Sequence, residues 1–571
     1  MNLRHIEQLL QVTINIVIKN CRIMAESKIS VANANNSGRT IAIIAMFFLF
    51  AMISFVTNLA APIGTIWGYQ FEGNSFLGML GNMMNFLAYL FMGIPAGKLL
   101  TKIGYKKTAL WAMAIGAIGL AVQLVSSWFG GEIEVSSSTV TVKEYVDGQA
   151  YDVAKTMHVT LNFIIYLLGA FIAGFCVCML NTVVNPMLNL LGGGGNKGNQ
   201  LIQTGGALNS LAGTLTPFFV GALIGQLSRK TDMGNVAPLL WIAIGIFVAS
   251  FIVISFVKIP EPNLSTGKKV KYEHSPWSFR HTVLGVIAIF FYVGIEVGIP
   301  GTLNFYLADQ TPNGAGVLGD ASAIAGAVVA IYWLLMLVGR FTSGIISGKV
   351  STKTQLVTVS AVCICLIGLA IFSSEKSKFD VPSFIYNPQA NTTATLEAAG
   401  MPSDEIKAFL DEPTAEKLAP YTTTHTITTT SNQQVEKVLV NNSEKQPVEI
   451  IEAVQERPGI PYSALFLILC GLCTSVMWGG IFNLAVEGLG KYTAQASGIF
   501  MMMVVGGGVL PLLQQLLVKG VGYMPSYYLV IGGVGFIFLY AIWGCTNVNK
   551  DIPVELDENL KEIKDEISLV D

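Results

Sequence analysis

The sequence predicts an all-α membrane protein in which twelve transmembrane helices form two bundles of six. Three observations predict it: an apolar composition, twelve long apolar runs, and a polar segment that divides these runs into equal halves. Of the 571 residues, 52% are hydrophobic and only 12% are charged, whereas soluble domains carry roughly 25% charged residues. So little charge cannot cover a water-facing surface of this size, and lipid is therefore the expected solvent.

The apolar runs are each about as long as a helix that spans a bilayer, which needs about 20 mostly apolar residues. They are continuous rather than alternating, which favours helices over barrel strands. The net charge of −2 offers no basic field for nucleic acid. The runs lie near 40–66, 77–100, 108–128, 158–189, 200–227, 237–258, 281–307, 321–347, 355–374, 461–486, 496–518 and 524–545.

Basic residues indicate which ends of the helices face the cytoplasm. With a cytoplasmic N-terminus, the inner loops carry most of the Lys and Arg residues, which predicts that both termini are inside (N-in, C-in). The predicted domains are a cytoplasmic extension 1–39, a bundle 40–258, a cytoplasmic linker 259–280, a bundle 281–545 and a cytoplasmic tail 546–571. The expected location is the inner (plasma) membrane, crossed many times.

Two hydrophilic insertions are expected on the outside, at 129–157 and at 375–460. The second is acidic, with 13 Asp and Glu against 7 Lys and Arg. It contains a predicted helix at 403–410 and a Thr-rich run at 422–430. A small folded module and a loose lid both fit this composition, and the segment is a candidate for binding an unknown partner.

Two segments at matching points of the halves combine basic residues with glycines. The first contains Gly97, Lys102, Gly104 and Lys106, and the second contains Arg340. A short inner hinge that holds neighbouring helices together in one state would have this composition, so we interpret these five as gating residues. The alternative is that both segments are ordinary basic flanks of transmembrane helices.

Four segments of the chain carry the resemblance to a known family of membrane proteins. Residues 97–107 resemble the inner-loop signature of the major facilitator superfamily. Residues 180–186 resemble the fourth helix of its fucose permease branch, and 292–297 the seventh helix of the glucose/galactose transporters in that branch. Residues 487–493, followed by 504–511, resemble the junction of helices ten and eleven. The resemblance implies the major facilitator fold and a secondary transporter of hexoses or related sugars, driven by protons or sometimes sodium.

The sequence departs from the family pattern at three acidic positions. Thr101 stands where the inner-loop signature usually has an acid. The fucose permease branch also lacks this acid. Asn58 and Asn181 stand where the fucose permease has acids in its first and fourth helices. An amide cannot release a proton near neutral pH, so proton coupling through these two positions is unavailable.

Glu296 is the deepest acid in any of the apolar runs, near the middle of 281–307. A charge at the centre of a bilayer costs about 2.5–3.5 kcal/mol on insertion scales, so the side chain should face the bundle interior or a wet cavity. Glu296 is therefore predicted to couple a cation to transport, either as a proton carrier or as a sodium ligand. A structural hydrogen bond to a neighbouring helix is the alternative.

Polar and aromatic side chains inside the runs are candidates for substrate contact. Amides match sugar hydroxyls as donors and acceptors, although Asn and Gln also join membrane helices. Aromatic rings pack on the C–H face of a sugar, or on other core side chains. The predicted substrate-binding residues are Asn58, Asn181, Asn185, Gln203, Asn209, Tyr292, Trp333 and Trp478.

These features together predict a secondary active transporter that moves a monosaccharide by alternating access, coupled to a proton or to sodium. An enzyme is not expected, because the sequence contains neither a His-Glu-x-x-His nor a Gly-x-Ser-x-Gly motif. No catalytic residue, metal or cofactor beyond the coupling ion is expected. Two alternatives stay open: an uncoupled sugar facilitator, and a non-transporting receptor whose second insertion senses a ligand.

Overall fold

Long α-helices occupy most of the apolar runs. The computed structural model describes residues 36–71, 75–146, 149–224, 231–257, 259, 274–309, 314–317, 321–373, 377–382, 387–443, 445–455, 459–549 and 551–554. Residues 1–35 of the predicted extension, most of the linker and residues 555–571 of the tail lie outside the described residues, so the predictions for these segments stay predictions.

The long helices follow one another in the order of the predicted runs. Ten helices of the described chain are long and apolar enough to cross a membrane. The helices are α1 (Asn36–Gln70), α2 (Ser75–Val125), α3 (Leu161–Leu191), α4 (Gly195–Ile224), α5 (Met233–Phe256), α6 (Arg280–Ala308), α7 (Ala321–Ile346), α8 (Thr352–Phe372), and, after the second insertion, α13 (Tyr462–Val486), α14 (Thr493–Met502), α15 (Gly506–Val521) and α16 (Tyr523–Leu539).

Helix α2 contains two of the predicted runs, because the chain turns at Gly104. The backbone there has φ 87° and ψ 176°, a conformation that glycine adopts without steric cost. Residues 81–88 then run parallel to 166–174 of α3, whereas 116–123 run antiparallel to 169–176. The two parts of α2 therefore have opposite directions, as two successive membrane crossings require.

The bundles have two distinct ends. The end that we call the linker end carries the turns at 191–195 and 346–352, together with the residues that flank the linker. The opposite end, here the insertion end, carries both hydrophilic insertions. The described chain both begins and ends at the linker end, since α1 starts there and α16 finishes there.

The insertions contain β-structure, so the prediction of an all-α protein is wrong for these segments. The first insertion is a hairpin of β1 (Glu134–Val146) and β2 (Gln149–Thr160), paired antiparallel along their length. Thr and Val alternate in β1, and β-branched residues favour strands where water, not lipid, surrounds the backbone. Helices are obligatory only for the segments inside the bilayer.

The second insertion is a folded module rather than a loose lid. A two-stranded stalk, β3 (Lys378–Asp380) with β6 (Gly459–Pro461), leads to it. The module contains β4 (Thr422–Thr428) paired with β5 (Gln434–Val440), and its helices are α9 (Pro388–Ala398), α10 (Ser403–Asp411), α11 (Ala415–Leu418) and α12 (Pro447–Gln455). It has its own hydrophobic core, formed by Leu396, Ala399, Met401, Ile406, Phe409, Leu418, Val440 and Ile450.

Candidate functional site

A buried ion pair lies within the second bundle. Glu296 belongs to α6 and Arg340 to α7, and Arg340 Nη2 donates to Glu296 Oε1 at 2.7 Å. Only 14% of the Glu296 side chain and 10% of the Arg340 side chain are exposed. An ion buried this far is costly without a partner of opposite charge, so the pair explains how the apolar run of α6 tolerates a carboxylate.

Arg340 also joins the two bundles. Its Nη1 donates to Gly206 O at 3.2 Å and to Ser210 Oγ at 3.0 Å, and both acceptors belong to α4 of the first bundle. The gating role expected of Arg340 stays a prediction, and its side chain lies between the bundles rather than in a short inner loop. Helix α7 continues to Ile346, and the guanidinium lies in the interior because its donors need charged and carbonyl acceptors that are found there.

Proline makes a carbonyl next to the ion pair available for a tertiary contact. Pro300 has no N–H, so it cannot donate to the carbonyl of Glu296 four residues earlier in α6. Tyr332 Oη donates to that carbonyl instead, at 3.4 Å, and shares a 2.9 Å hydrogen bond with Thr474 Oγ1. The backbone at Glu296 is in this way bonded to α7, and through Tyr332 linked to α13.

A chain of amides and aromatic rings continues from the ion pair into the first bundle. Asn181 and Asn185 lie one turn apart on α3, and Asn181 Nδ2 donates to Tyr89 Oη at 3.0 Å. Trp478 Nε1 of α13 donates to Asn185 Oδ1 at 3.0 Å, across the bundle interface. The Trp478 ring lies 6.1 Å from that of Tyr292, whose hydroxyl accepts from Arg340 Nη2 at 3.4 Å.

The structure thus brings together five of the predicted site residues, and Arg340 with them. These residues form one polar cluster between the bundles, which we call the central cluster. Its members are Tyr292, Glu296, Asn181, Asn185, Trp478, Arg340, Tyr89 and Ser210. It contains one acid, one cation, amides and aromatic rings.

Four other predicted residues have different surroundings. Asn58 Nδ2 donates within its own helix to Ser54, and Asn209 Nδ2 donates to Phe50 O inside the first bundle. Gln203 Nε2 donates to Val476 O at 2.9 Å and so joins the bundles outside the central cluster. Trp333 packs edge-on against Tyr332, with 5.5 Å between the ring centroids.

The predicted gating residues of the first half lie at the linker end. A methyl group at Gly97 would meet Gly498 Cα at 3.0 Å, so this glycine permits close approach of α2 to α14 of the other bundle. Gly104 forms the turn described above, and Lys102 is exposed. Lys106 Nζ donates to Ser255 O at 2.7 Å, within the first bundle.

An uncharged polar network closes the bundle interface at the linker end, and the sequence analysis missed it. Asn189 Nδ2 donates to Asn483 Oδ1 at 2.7 Å, and Asn199 Nδ2 donates to Ser347 Oγ at 3.0 Å. One signal was available, because Asn189 follows Asn185 by one more helical turn. The partners in the second bundle had no such signal, since their positions depend on how the bundles pack.

The central cluster offers charge and hydrogen bonds but no metal site. Within the described ranges no group of three or more His, Cys, Asp or Glu side chains is placed to hold a metal ion. Amide and indole groups that face each other across two bundles can bind a polyhydroxylated solute, because they supply both donors and acceptors.

The helical architecture and the buried polar cluster between two bundles define a polytopic membrane transporter. The sequence profile of the Major Facilitator Superfamily matches residues 42–381. The chain belongs to the major facilitator superfamily. Membership confirms the resemblance seen in the sequence, and with it the expectation of a transporter rather than an enzyme.

Curated relatives are similar over 60% to 88% of the chain. A glucose/galactose transporter of Brucella abortus biovar 1 (strain 9-941) is 26% identical over 515 residues, which cover 88% of this chain and 94% of the relative. A putative glucose/galactose transporter of Helicobacter pylori (strain ATCC 700392 / 26695) is 25% identical over 352 residues, covering 60% and 75%.

Solved structures share the fold at lower identity. The major facilitator transporter FucP, crystallised in the outward conformation, aligns with a TM-score of 0.57 and 16% identity, covering 89% of this chain and all (100%) of FucP. An outward-facing bacterial homologue of the iron transporter ferroportin aligns with a TM-score of 0.50 and 11% identity, covering 87% and 98%. These likenesses establish the fold alone.

Proposed function

We propose that the chain is a secondary active transporter that moves a hexose or related monosaccharide by alternating access, coupled to a proton or a sodium ion. The observation that carries the proposal is the buried Glu296–Arg340 pair, which is bonded to both bundles. An intramembrane ion pair is costly to keep, and its position between two bundles links the state of the carboxylate to the contact between them.

A sugar is the substrate that the relatives and the chemistry both favour. The relatives described above are named glucose/galactose transporters, and FucP is described as a fucose:proton symporter. In the central cluster, Asn181, Asn185 and Trp478 supply the hydrogen-bonding groups that hydroxyls require. A site built to pair with hydroxyls rejects analogues that lack them, which would give selectivity among small solutes.

The proposed topology is twelve crossings with both termini in the cytoplasm and the insertions outside. The two directions within α2 support two crossings there, and the basic residues of the inner loops support the orientation. The membrane would be the inner (plasma) membrane. The linker end would then be cytoplasmic, and the present contacts between the bundles would close the cytoplasmic side.

Coupling would follow from competition for the Glu296 carboxylate. A proton or sodium ion that binds this carboxylate weakens its attraction for Arg340, since the charge on Glu296 is then neutralised. Arg340 would then be free to meet substrate hydroxyls, and its bonds to α4 would pass this movement to the first bundle. Cation and sugar would thus favour the same rearrangement of the bundle interface.

An uncoupled facilitator is the second candidate, and one observation favours it. Arg340 already neutralises Glu296, so the cluster is electrically balanced without any external cation. Asn181 and Asn58, moreover, stand where the fucose permease has acids. In this version the ion pair would serve only to hold the bundles together.

Transport by purified protein in liposomes separates the two candidates. Labelled glucose, galactose and fucose are supplied under a proton gradient and, separately, under a sodium gradient. Coupled transport predicts accumulation above equilibrium under one of the gradients, and Glu296→Gln abolishes accumulation while sparing exchange of labelled for unlabelled sugar. Unchanged accumulation in Glu296→Gln would remove the proposed role.

Asp309 provides the matched control. It follows α6, the helix that contains Glu296, but lies at the insertion end, where Tyr523 Oη donates to its Oδ2 at 3.0 Å. Asp309→Asn removes a carboxylate from the same part of the chain without touching the central cluster. Accumulation should survive this change if the effect of Glu296→Gln reflects coupling rather than loss of negative charge in general.

A further inference from the structure

The two insertions contact each other at the insertion end and thereby join the bundles a second time. Val153 of β2 pairs with Thr429, just after β4, as an isolated antiparallel bridge. Next to it, Thr430 N donates to Asp152 O at 2.7 Å. The hairpin of the first bundle and the module of the second bundle therefore share backbone contacts like those between strands of a sheet.

An ionic contact strengthens the same junction. Glu144 of β1 accepts from Lys155 of its own hairpin at 2.5 Å and from Lys437 of β5 at 3.0 Å. All three side chains are less than one-fifth exposed, so solvent screens them less than a typical surface pair. We call the backbone and ionic contacts between the hairpin and the module the tie.

The hairpin is rigidly attached to the first bundle. Strand β2 ends at Thr160 and α3 begins at the next residue. Two backbone hydrogen bonds brace this junction, from Leu161 N to Ile133 O at 2.8 Å and from Asn162 N to Gly130 O at 3.2 Å. A rotation of α3 must therefore move the hairpin with it.

The module is attached to the second bundle in a comparable way. Strand β6 continues directly into α13, and its pairing with β3 makes the stalk two-stranded. Tyr462 N donates to Ser377 O at 3.2 Å, and Lys378 Nζ donates to Gly316 O between α6 and α7. A rotation of the second bundle is in turn transmitted to the module.

The tie spans the same pair of helices as the central cluster. Helices α3 and α13 meet through Asn185 and Trp478, and their insertion-end starts carry β2 and β6. The contact between Asn185 and Trp478 lies 24 residues along α3 from its start, which at 1.5 Å per residue is about 36 Å. A rotation of one bundle by a few degrees therefore displaces the two halves of the tie by ångströms, more than hydrogen bonds tolerate.

We propose that the tie is a latch that holds only while the linker ends of the bundles are together, because the rotation that separates those ends displaces the two halves of the tie. The proposal rests on the alternating-access function above, since it assigns the tie to one of the two states. With the tie closed and the linker-end network made, the bundles are joined at both ends. Transport then requires the tie to break in every cycle.

A disulfide across the tie tests the latch. The paired residues Val153 and Thr429 have Cα atoms about 4.5–5.5 Å apart, as in any antiparallel pair, within the range of a disulfide. The double variant Val153→Cys/Thr429→Cys is oxidised with copper phenanthroline in a Cys365→Ser background, because Cys365 is exposed. Exchange of labelled sugar in proteoliposomes should fall at least tenfold on oxidation and recover with dithiothreitol.

A second disulfide within the hairpin is the matched control. Thr139 and Thr156 are paired across β1 and β2, and both are exposed. The oxidised Thr139→Cys/Thr156→Cys variant carries a cross-link of the same kind that joins no bundles, and its exchange activity should equal that of the parent. Full exchange activity in the oxidised Val153→Cys/Thr429→Cys protein would overturn the latch, because the tie would then persist throughout the cycle.

Hydrogen–deuterium exchange gives a readout that does not depend on transport. Opening of the linker end exposes backbone amides of 190–200 and 346–353, so the cross-linked tie should slow their exchange severalfold relative to the reduced protein. If the reduced protein moves none of the sugars, the proposed function fails, but slower hydrogen exchange in the oxidised protein would still support the latch. Equal hydrogen exchange in the oxidised and reduced proteins overturns the latch.

Discussion

Removal of the charges at Glu296 and Arg340, singly and together, measures what the ion pair contributes to the fold. Glu296→Gln leaves a buried guanidinium without its carboxylate, which typically costs about 3–5 kcal/mol. Arg340→Gln leaves the carboxylate unpaired and also removes the bonds to Gly206 O and Ser210 Oγ. Each of these bonds adds about 0.5–1.5 kcal/mol, so the Arg340 variant should be less stable than the Glu296 variant by about 1–3 kcal/mol.

The double variant Glu296→Gln/Arg340→Gln should be more stable than the sum of the single effects predicts. It leaves two neutral amides where each single variant leaves an unpaired charge, so we expect a coupling energy of about 2–3 kcal/mol. Ser210→Ala serves as the control, since it removes one bond between the bundles and leaves the ion pair intact. Its expected cost is about 0.5–1.5 kcal/mol.

Equilibrium unfolding in mixed micelles, followed by circular dichroism, gives the four free energies of unfolding. Additive effects of the two single changes, within about 0.5 kcal/mol, would refute an energetic coupling between the side chains. Equal destabilisation by Glu296→Gln and Arg340→Gln would refute a contribution from the bonds that Arg340 makes to α4.

Three further predictions concern the bundle interface and the tie. Gly97→Val should destabilise the contact at the linker end by about 1–3 kcal/mol through overpacking, whereas Gly245→Val, with open space around its Cα, should change thermal stability little. Trp478→Phe keeps an aromatic ring but loses its hydrogen bond across the bundles, so it should raise the KM of sugar exchange severalfold, with Trp333→Phe as the milder comparison. Burial alone would raise the pKa of the Glu144 carboxyl, but hydrogen bonds from two lysines and their charges hold it below its ordinary value. A lowered folded-state pKa means that its stabilising effect is present above the unfolded-state pKa and is lost as pH falls through the folded-state pKa. The protection of the hairpin amides, measured relative to their intrinsic exchange rates, should therefore fall as the pH drops below the ordinary Glu pKa of about 4.3, and Glu144→Gln should weaken this dependence.

Much of the central cluster could be predicted from the free-energy cost of placing polar side chains in lipid. A carboxylate and several amides in otherwise apolar runs are expensive in lipid, and this singled out Glu296, Asn181 and Asn185 without any knowledge of their partners. The same criterion also selected Asn58 and Asn209, whose contact with substrate stays a prediction. Their amides donate to nearby carbonyls of the first bundle, a structural role that composition cannot distinguish from substrate contact.

The linker-end segments show where sequence position misleads. Arg340 lies near the end of the apolar run 321–347 and precedes a basic turn, so a flank or hinge is the natural expectation. Its partner Glu296 is 44 residues away and its other acceptors are 130 and 134 residues away. No spacing rule connects such positions, because they meet only after three helices, α4, α6 and α7, have packed.

Residue composition and order were enough to predict that the apolar runs lie in lipid, that they are helical, and that one acid lies deep among them. These features are local, because a backbone in hydrocarbon must satisfy its own hydrogen bonds and each residue has its own transfer cost. The packing of the helices was needed to show which cation pairs with Glu296, that Trp478 bonds to Asn185 across the bundles, and that the insertions meet. These contacts depend on the angles at which helices and bundles pack. Residues hundreds of positions apart in the sequence set these angles together.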